Sequence, residues 1–368
     1  MMRDTTAAER RETGASEPAA VSGKVRAFLA EDFAAIDPEL PPLLDALNRR
    51  RLAECWHRHG SLRDHLAGVY RILSLWEQPR EVRLLGLLHC VYANEYVNLA
   101  PCDAKDGRGD LAALVGAEVE ASIHAFCRIP RSRFAATLLE RDRIPDSGLV
   151  LEDDDGRRFP LDRRRIGIFL AVTLADLAEQ WFAWQDRIMA GYPNAAPDRP
   201  TNMHWPAVLW PGAMRPSMAN WSLMSRLARH MPALDLPVPP VFENCSATLS
   251  PESEAGAAAL YWQVAGGLCA EKPPDAVRRL LESAIERNPF VGEPRLALAQ
   301  LMLMEGDYAA AETQALEGLE LLCRWGTPWD KRIPWSGWVA WARVLLRNAR
   351  AETWPWTIGL HNNLGIVG

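Results

Sequence analysis

Three residues in the first half of the chain are of chemically capable types and stand where such types are costly. His65 lies in LRDHLAGVYRIL beside Leu62, Leu66 and Val69, on the inward side of a helical pattern. His89 ends the apolar run of LLGLLHCVY, and Asp176 sits inside IGIFLAVTLADLAEQW. Thr173, Asp176 and Gln180 fall at i, i+3 and i+7, so one face of that otherwise apolar helix is polar. A polar group in a core destabilises the fold unless something satisfies it, which makes this arrangement informative. A lone buried His is ordinarily a hydrogen-bonded core residue, and that reading stands beside any chemical one.

The elements that must position these residues are helices. Leu62, Leu66, Val69, Leu73 and Trp76 mark one face of a helix over 61–78, with Ser61 as N-cap, Asp64 three residues on, and Pro79 as its end. A second helix is expected over 80–96, then a loop at DAKDGRGD. Asp110 caps a third helix to about Cys127, and 141–162 reads as a loop or short hairpin. An apolar helix is expected from Arg165 to about Met189, and another from about Met218 to His230, capped by Ser217 or Asn220.

The order of these residues resembles the HD superfamily, over roughly residues 60–185. In that family a first His lies on one helix, a His-Asp pair follows an apolar run on the next, and a last Asp lies on a later helix. LRDHLAGVYRIL, GLLHCVYANE and LADLAEQ supply His65, His89 and Asp176 in that order. The chain is also similar to a group of bacterial HD-like proteins with HL-G-Y-L-W followed by GL-H-Y-E segments. The resemblance implies a metal held by His65, His89 and Asp176, with Glu95 a further candidate and Tyr92, on the face of His89, able to hydrogen-bond a ligand. Cys90 stands where the family places its bridging Asp. Losing that hard oxygen ligand points to a mononuclear site for Fe, Mn or Zn with positions open to a small-molecule substrate. In a continuous helix Glu95 would lie about 120° around the axis from His89, so it reaches the site only if the helix ends first. His57, His59 and His124 are placed less well, and Cys90, chemically able to ligate as a thiolate, reads better as a buried small hydrophobe.

Within the superfamily the usual activity is metal-assisted phosphoester hydrolysis, and a minority of members activate dioxygen at iron. The arginines at 163–165 are candidates to hold a phosphate; Trp181, Phe182 and Trp184 are candidates for a dry aromatic pocket. The alternative is a non-catalytic adaptor that holds a partner protein in its C-terminal hairpins.

Those hairpins show a period near 34 residues, one unit at about 258–289 and the next at about 293–322. Gly306, Tyr308, Ala310 and Ala311, with Asn288-Pro289 before them, resemble the turn and small-residue positions of a tetratricopeptide repeat. A third hairpin is conceivable over 335–350. From Trp325 onward the chain holds seven of its 15 tryptophans, a capping cluster or an aromatic pocket.

The expected class is all-α: a tail at 1–20 too polar to order, an HD-like domain over 21–235, a linker at 236–244 and tetratricopeptide-like hairpins over 245–368. A net charge of -6 gives no basic field for nucleic acid. Seven cysteines without a CxxC pair suit reduced thiols. With neither a secretory signal nor an apolar run of spanning length, the expectation is a cytoplasmic protein without a membrane partner. The glycines of DAKDGRGD follow no strand, so no nucleotide cofactor is implied.

Overall fold

The computed structural model describes residues 21–57, 60–97, 99–180, 220–265 and 271–354. The expected tail at 1–20, the stretch from Trp181 through Ser217 and the end of the chain from Pro355 lie outside them. The fold is all-α.

The first helices are α1 (Gly23–Leu29), α2 (Phe33–Ile36) and α3 (Leu40–Arg49). Of these, α1 and α3 pack on α4 (Leu62–Leu75). Ser61 caps α4 as its type demands, its hydroxyl accepting from Asp64 N at 3.1 Å. Pro79 opens α5 (Arg80–Leu88), which is shorter than the 80–96 expected. Gly86 lets α5 lie close on α4, because a Cβ there would stand 2.3 Å from Leu73 Cδ1. The helix expected from Asp110 to Cys127 is two, α6 (Arg108–Val115) and α7 (Ala117–Arg128). Gly116 divides them with a φ of 90°, a value that breaks a right-handed helix. Then come α8 (Arg131–Glu140) and an antiparallel hairpin of Leu149–Glu152 with Arg158–Leu161.

The centre of this half is α9 (Arg163–Glu179), capped by Asp162 and buried along nearly its whole length from Ile166. A helix apolar on all sides must be wrapped by others. Here α4, α5 and α10 (Asn220–Ala228) do so. The first N–H groups of α10, at Trp221 and Ser222, are held by the distant Glu254 carboxylate.

The C-terminal half is a stack of consecutive helices: α11 (Pro251–Ala265), α12 (Pro274–Arg287), α13 (Glu293–Glu305), α14 (Tyr308–Trp325) and α15 (Trp335–Arg350). Gly306 closes α13 in the left-handed region and Asp307 caps α14. Gly292 and Gly318 bring α13 and α14 together; a Cβ on Gly318 would meet Leu296 Cδ2 at 2.6 Å.

The two halves share one apolar core. Trp76 Nε1 donates to Arg324 O at 3.0 Å, and the Trp221 and Trp325 rings lie 3.7 Å apart. The segment read as a spacer is packed: Leu234 and Leu236 are buried over Gly167, and Gln78 Nε2 donates to Pro237 O at 2.7 Å. Trp325, Trp329, Trp335 and Trp338 are all buried, filling space as a capping cluster does. Trp356 lies outside the described residues.

Candidate metal centre

His65 stands in the first turn of α4, His89 at the C-terminal cap of α5 and Asp176 one turn before the end of α9. The packing of the three helices brings them together: one ligand atom from each lies within 4.8 Å of the other two, and all three residues are buried. His65 Nε2 is 3.3 Å and His89 Nε2 3.7 Å from the same oxygen, Asp176 Oδ1. The imidazole rings meet edge to face at 5.3 Å.

The other nitrogen of each ring is engaged. His89 Nδ1 lies 2.8 Å from Gly86 O. A carbonyl only accepts, so Nδ1 carries the proton and Nε2 of the neutral ring presents its lone pair. Burial pushes His89 down to about 4, which keeps that ring neutral. His65 Nδ1 meets Glu179 Oε2 at 2.5 Å. Glu179 reaches it over Gly68, where a Cβ would stand 2.8 Å from Glu179 Cγ. Burial pulls the His65 ring down, but the Glu179 and Asp176 carboxylates outweigh it and raise it to about 9. A bound divalent ion would take the place of that extra proton.

Asp176 is held from the far side by Arg131, whose Nη2 donates to Oδ2 at 2.5 Å, and Gln180 Nε2 donates to Oδ1. Burial alone would raise the Asp176 carboxyl; Arg131 and the two histidines overcome it and hold the group well below its ordinary value. Arg131 itself lies over the Phe126 ring at 4.9 Å.

These residues fit a metal. Two imidazole nitrogens and one carboxylate oxygen converge on one point, and the second ring nitrogens and second carboxylate oxygen are fixed by other groups, as ligating residues require. His65 Nε2 is buried and makes no well-formed hydrogen bond, its near neighbour being Asp176 Oδ1 at 3.3 Å, the oxygen it would share with an ion.

The other expected site residues are placed elsewhere. Tyr92 turns away from Asp176 and donates to Glu120 Oε1 at 2.8 Å, a carboxylate that Arg108 also grips. The chain leaves helical geometry after His89, with Ala93 at a φ of 59°, so Glu95 is not carried around the α5 axis. Its carboxylate accepts from Ser132 N at 2.9 Å and caps the first turn of α8, beside Arg131. Cys90 is buried with its thiol pushed far up by burial, the state of a small hydrophobe. His57 approaches the group, its ring 4.5 Å from that of His65. The sequence reading missed Glu179 and Arg131. Their only local signals are the acidic residue one turn after Asp176 and an arginine, between Arg128 and Arg133, before an apolar run.

A family described as a domain of unknown function (DUF6817) matches residues 46–131. The matched stretch holds His65, His89 and Arg131 and stops before Asp176 and Glu179. No curated protein and no solved structure matches this chain. No helix among the described residues is long and apolar enough to cross a membrane.

Proposed function

We propose that this chain is a mononuclear metal-dependent enzyme of the HD-like type, acting on a small molecule. The observation that carries the reading is the approach of His65 Nε2, His89 Nε2 and Asp176 Oδ1 to one another in the core, where each ligating group is fixed from behind. A divalent ion held there would supply Lewis acidity and open coordination positions. Arg131 commits Asp176 Oδ2, while Oδ1 accepts from Gln180 and keeps a second lone pair for the ion. Glu179 holds the Nδ1 proton of His65, and Phe126, with its ring 6.5 Å from that of His89, excludes water on one side.

Between the two chemistries, the surroundings favour oxygen activation at iron over phosphoester hydrolysis. Hydrolysis wants free cations beside the ion. Arg131 is committed to Asp176. The arginines at 163–165 begin α9, roughly 20 Å along the axis from Asp176 at 1.5 Å per residue. Arg163 there donates to Ile144 O at 3.1 Å, and Arg164 pairs with Glu81.

Elemental analysis of the purified chain tests this, with His89→Ala alongside. The expected result is near-stoichiometric iron or manganese in the parent and its loss in the variant. Less than about a tenth of an equivalent of any metal, unchanged in the variant, sinks the reading.

One feature favours the adaptor alternative, with the C-terminal hairpins as tetratricopeptide-like repeats. A cleft of about 530 Å³ opens between α14 and Phe242–Cys245, with Phe290, Arg295 and Arg324 in its lining. Those four residues, from Phe242 to Cys245, have φ from 47° to 63°, a left-handed turn costing about 1–2 kcal/mol per residue. Strain of this kind clusters at functional sites. A full chain without metal would shift the weight to this cleft.

A further inference from the structure

One side chain of the C-terminal half, Lys331, reaches the end of α9 beside the candidate metal centre. Lys331 lies between α14 and α15, far in sequence from the histidines. Its ammonium donates to Ala178 O at 2.7 Å and to Thr327 Oγ1 at 2.6 Å. Ala178 is in the last turn of α9, between Asp176 and Glu179, and its carbonyl is one of those a helix end leaves without an internal partner. A cation at that end also suits the helix dipole. Burial lowers the Lys331 ammonium to about 8, and the negative charges of Glu179 and Glu293 partly offset that fall. Arg71, from α4, approaches the same layer by donating to Gly326 O at 2.8 Å.

We infer that Lys331 is a positioning residue for the His65–His89–Asp176 site. From the C-terminal layer it pins the last turn of α9 and stands as counter-charge to Glu179, the carboxylate that holds His65 Nδ1. His65 Nε2 is thereby turned toward the ligand position. The inference rests on the metal reading above. It makes the C-terminal helices part of the site and not a separate module.

The test uses the full chain as parent, Lys331→Met and Lys331→Arg, titrated with Mn²⁺ alone and with Zn²⁺ alone. The ring nitrogens of His65 are followed by ¹⁵N NMR after selective histidine labelling. Lys331→Met is expected to weaken Mn²⁺ binding about ten-fold, the usual effect of removing a group behind a ligand. It should also shift the His65 Nδ1 resonance, and Lys331→Arg should restore most of both. A merely structural lysine would lower the melting temperature and leave these readouts in place. Binding within about two-fold of the parent, with unmoved His65 resonances, overturns the inference. Should the parent bind neither ion, the metal reading fails, and the His65 resonances still decide the coupling to Lys331: unmoved, they overturn it. Should Lys331→Met not fold, Thr327→Val loosens the same ammonium and must move the His65 resonances in the same direction.

Discussion

The polar residues buried beneath the C-terminal hairpins and those buried between α4, α5 and α9 meet the same desolvation cost by different means. In the C-terminal cluster Glu254 and Glu293 are satisfied by backbone N–H groups, and Asp330 by side chains. Glu254 accepts from Trp221 N and Ser222 N at 3.1 and 2.8 Å, and Glu293 from Trp329 N and Asp330 N at 2.5 and 3.0 Å. Asp330 accepts from Tyr261 and Arg332. Glu254 holds the start of α10, and Glu293 holds the loop between α14 and α15. In the N-terminal cluster, charge meets charge, and one imidazole nitrogen is left without a hydrogen bond. Buried polar groups are therefore no guide to a site by number alone. What separates the clusters is whether groups able to ligate a metal come within ligand distance of one another.

The largest effect that tests this contrast is expected at Asp176. Asp176→Ala leaves Arg131, itself buried, without its counter-ion. Removing one member of a buried pair costs about 3–5 kcal/mol. Urea unfolding of parent and variant measures it. A loss under about 1 kcal/mol would mean that the N-terminal charges are not held by one another, and the contrast collapses.

The pH dependence of stability is expected to differ between the clusters. Burial, partly offset by the Ser222 and Trp221 N–H groups, pushes Glu254 up from 4.5 to about 7. A raised acid binds its proton more tightly in the folded state. Its penalty is absent below pH 4.5, grows as pH rises and is complete above 7, about 3 kcal/mol at 1.36 kcal/mol per pH unit. Denaturant midpoints for the parent and Glu254→Gln at pH 4.5 and 8 should shift relative to each other by that amount, in favour of the variant at pH 8. His65 acts in a later window. Raised from 6.5 to about 9, its protonated form stabilises the metal-free fold below pH 6.5, and that contribution is lost as pH climbs through 9. A Glu254→Gln variant whose pH profile parallels the parent's would show that backbone N–H groups keep that carboxylate at its ordinary value.

Gly68 gives a smaller and more selective effect. A glycine inside a helix ordinarily costs about 1 kcal/mol against alanine. The position is nevertheless where Glu179 passes, and an added Cβ would stand 3.0 Å from its Oε1. Gly68→Ala should leave global stability nearly unchanged and weaken Mn²⁺ binding about ten-fold by moving the carboxylate off His65. Equal affinity in the two proteins would remove Glu179 from the set of positioning groups.

Much of this was legible in the sequence where the cause is local. The period of α4, its Ser61 cap and the Gly306-Asp307 junction are set by neighbouring residues, and the structure shows each where its chemistry requires. His65, His89 and Asp176 were legible because polar residues in apolar runs are conspicuous. The partners that decide their chemistry were not. Glu179 meets His65 across 114 residues and Arg131 meets Asp176 across 45, and no periodicity encodes such a pairing. Two helix ends were also misplaced. Gly116 breaks a run that reads as one helix, and α5 stops at Leu88 because the chain turns at His89, which the apolar pattern does not announce. The 236–244 stretch, rich in proline, has the composition of a spacer, yet packing on α9 fixes it.

The smallest predicted effect concerns Tyr92. Proximity in sequence puts it three residues from His89, but the turn after His89 sends its hydroxyl to Glu120. That carboxylate keeps two bonds from Arg108, at 2.7 and 2.8 Å, whether or not Tyr92 is present. Tyr92→Phe therefore deletes one hydrogen bond to a charged acceptor that stays paired, a loss of about 1 kcal/mol in denaturant unfolding. Metal affinity should stay at the parent value, because no group that fixes His65, His89 or Asp176 is disturbed. A fall in affinity with unchanged stability would tie the Glu120–Arg108 pair to the metal centre, and would extend the N-terminal cluster one residue layer beyond Arg131.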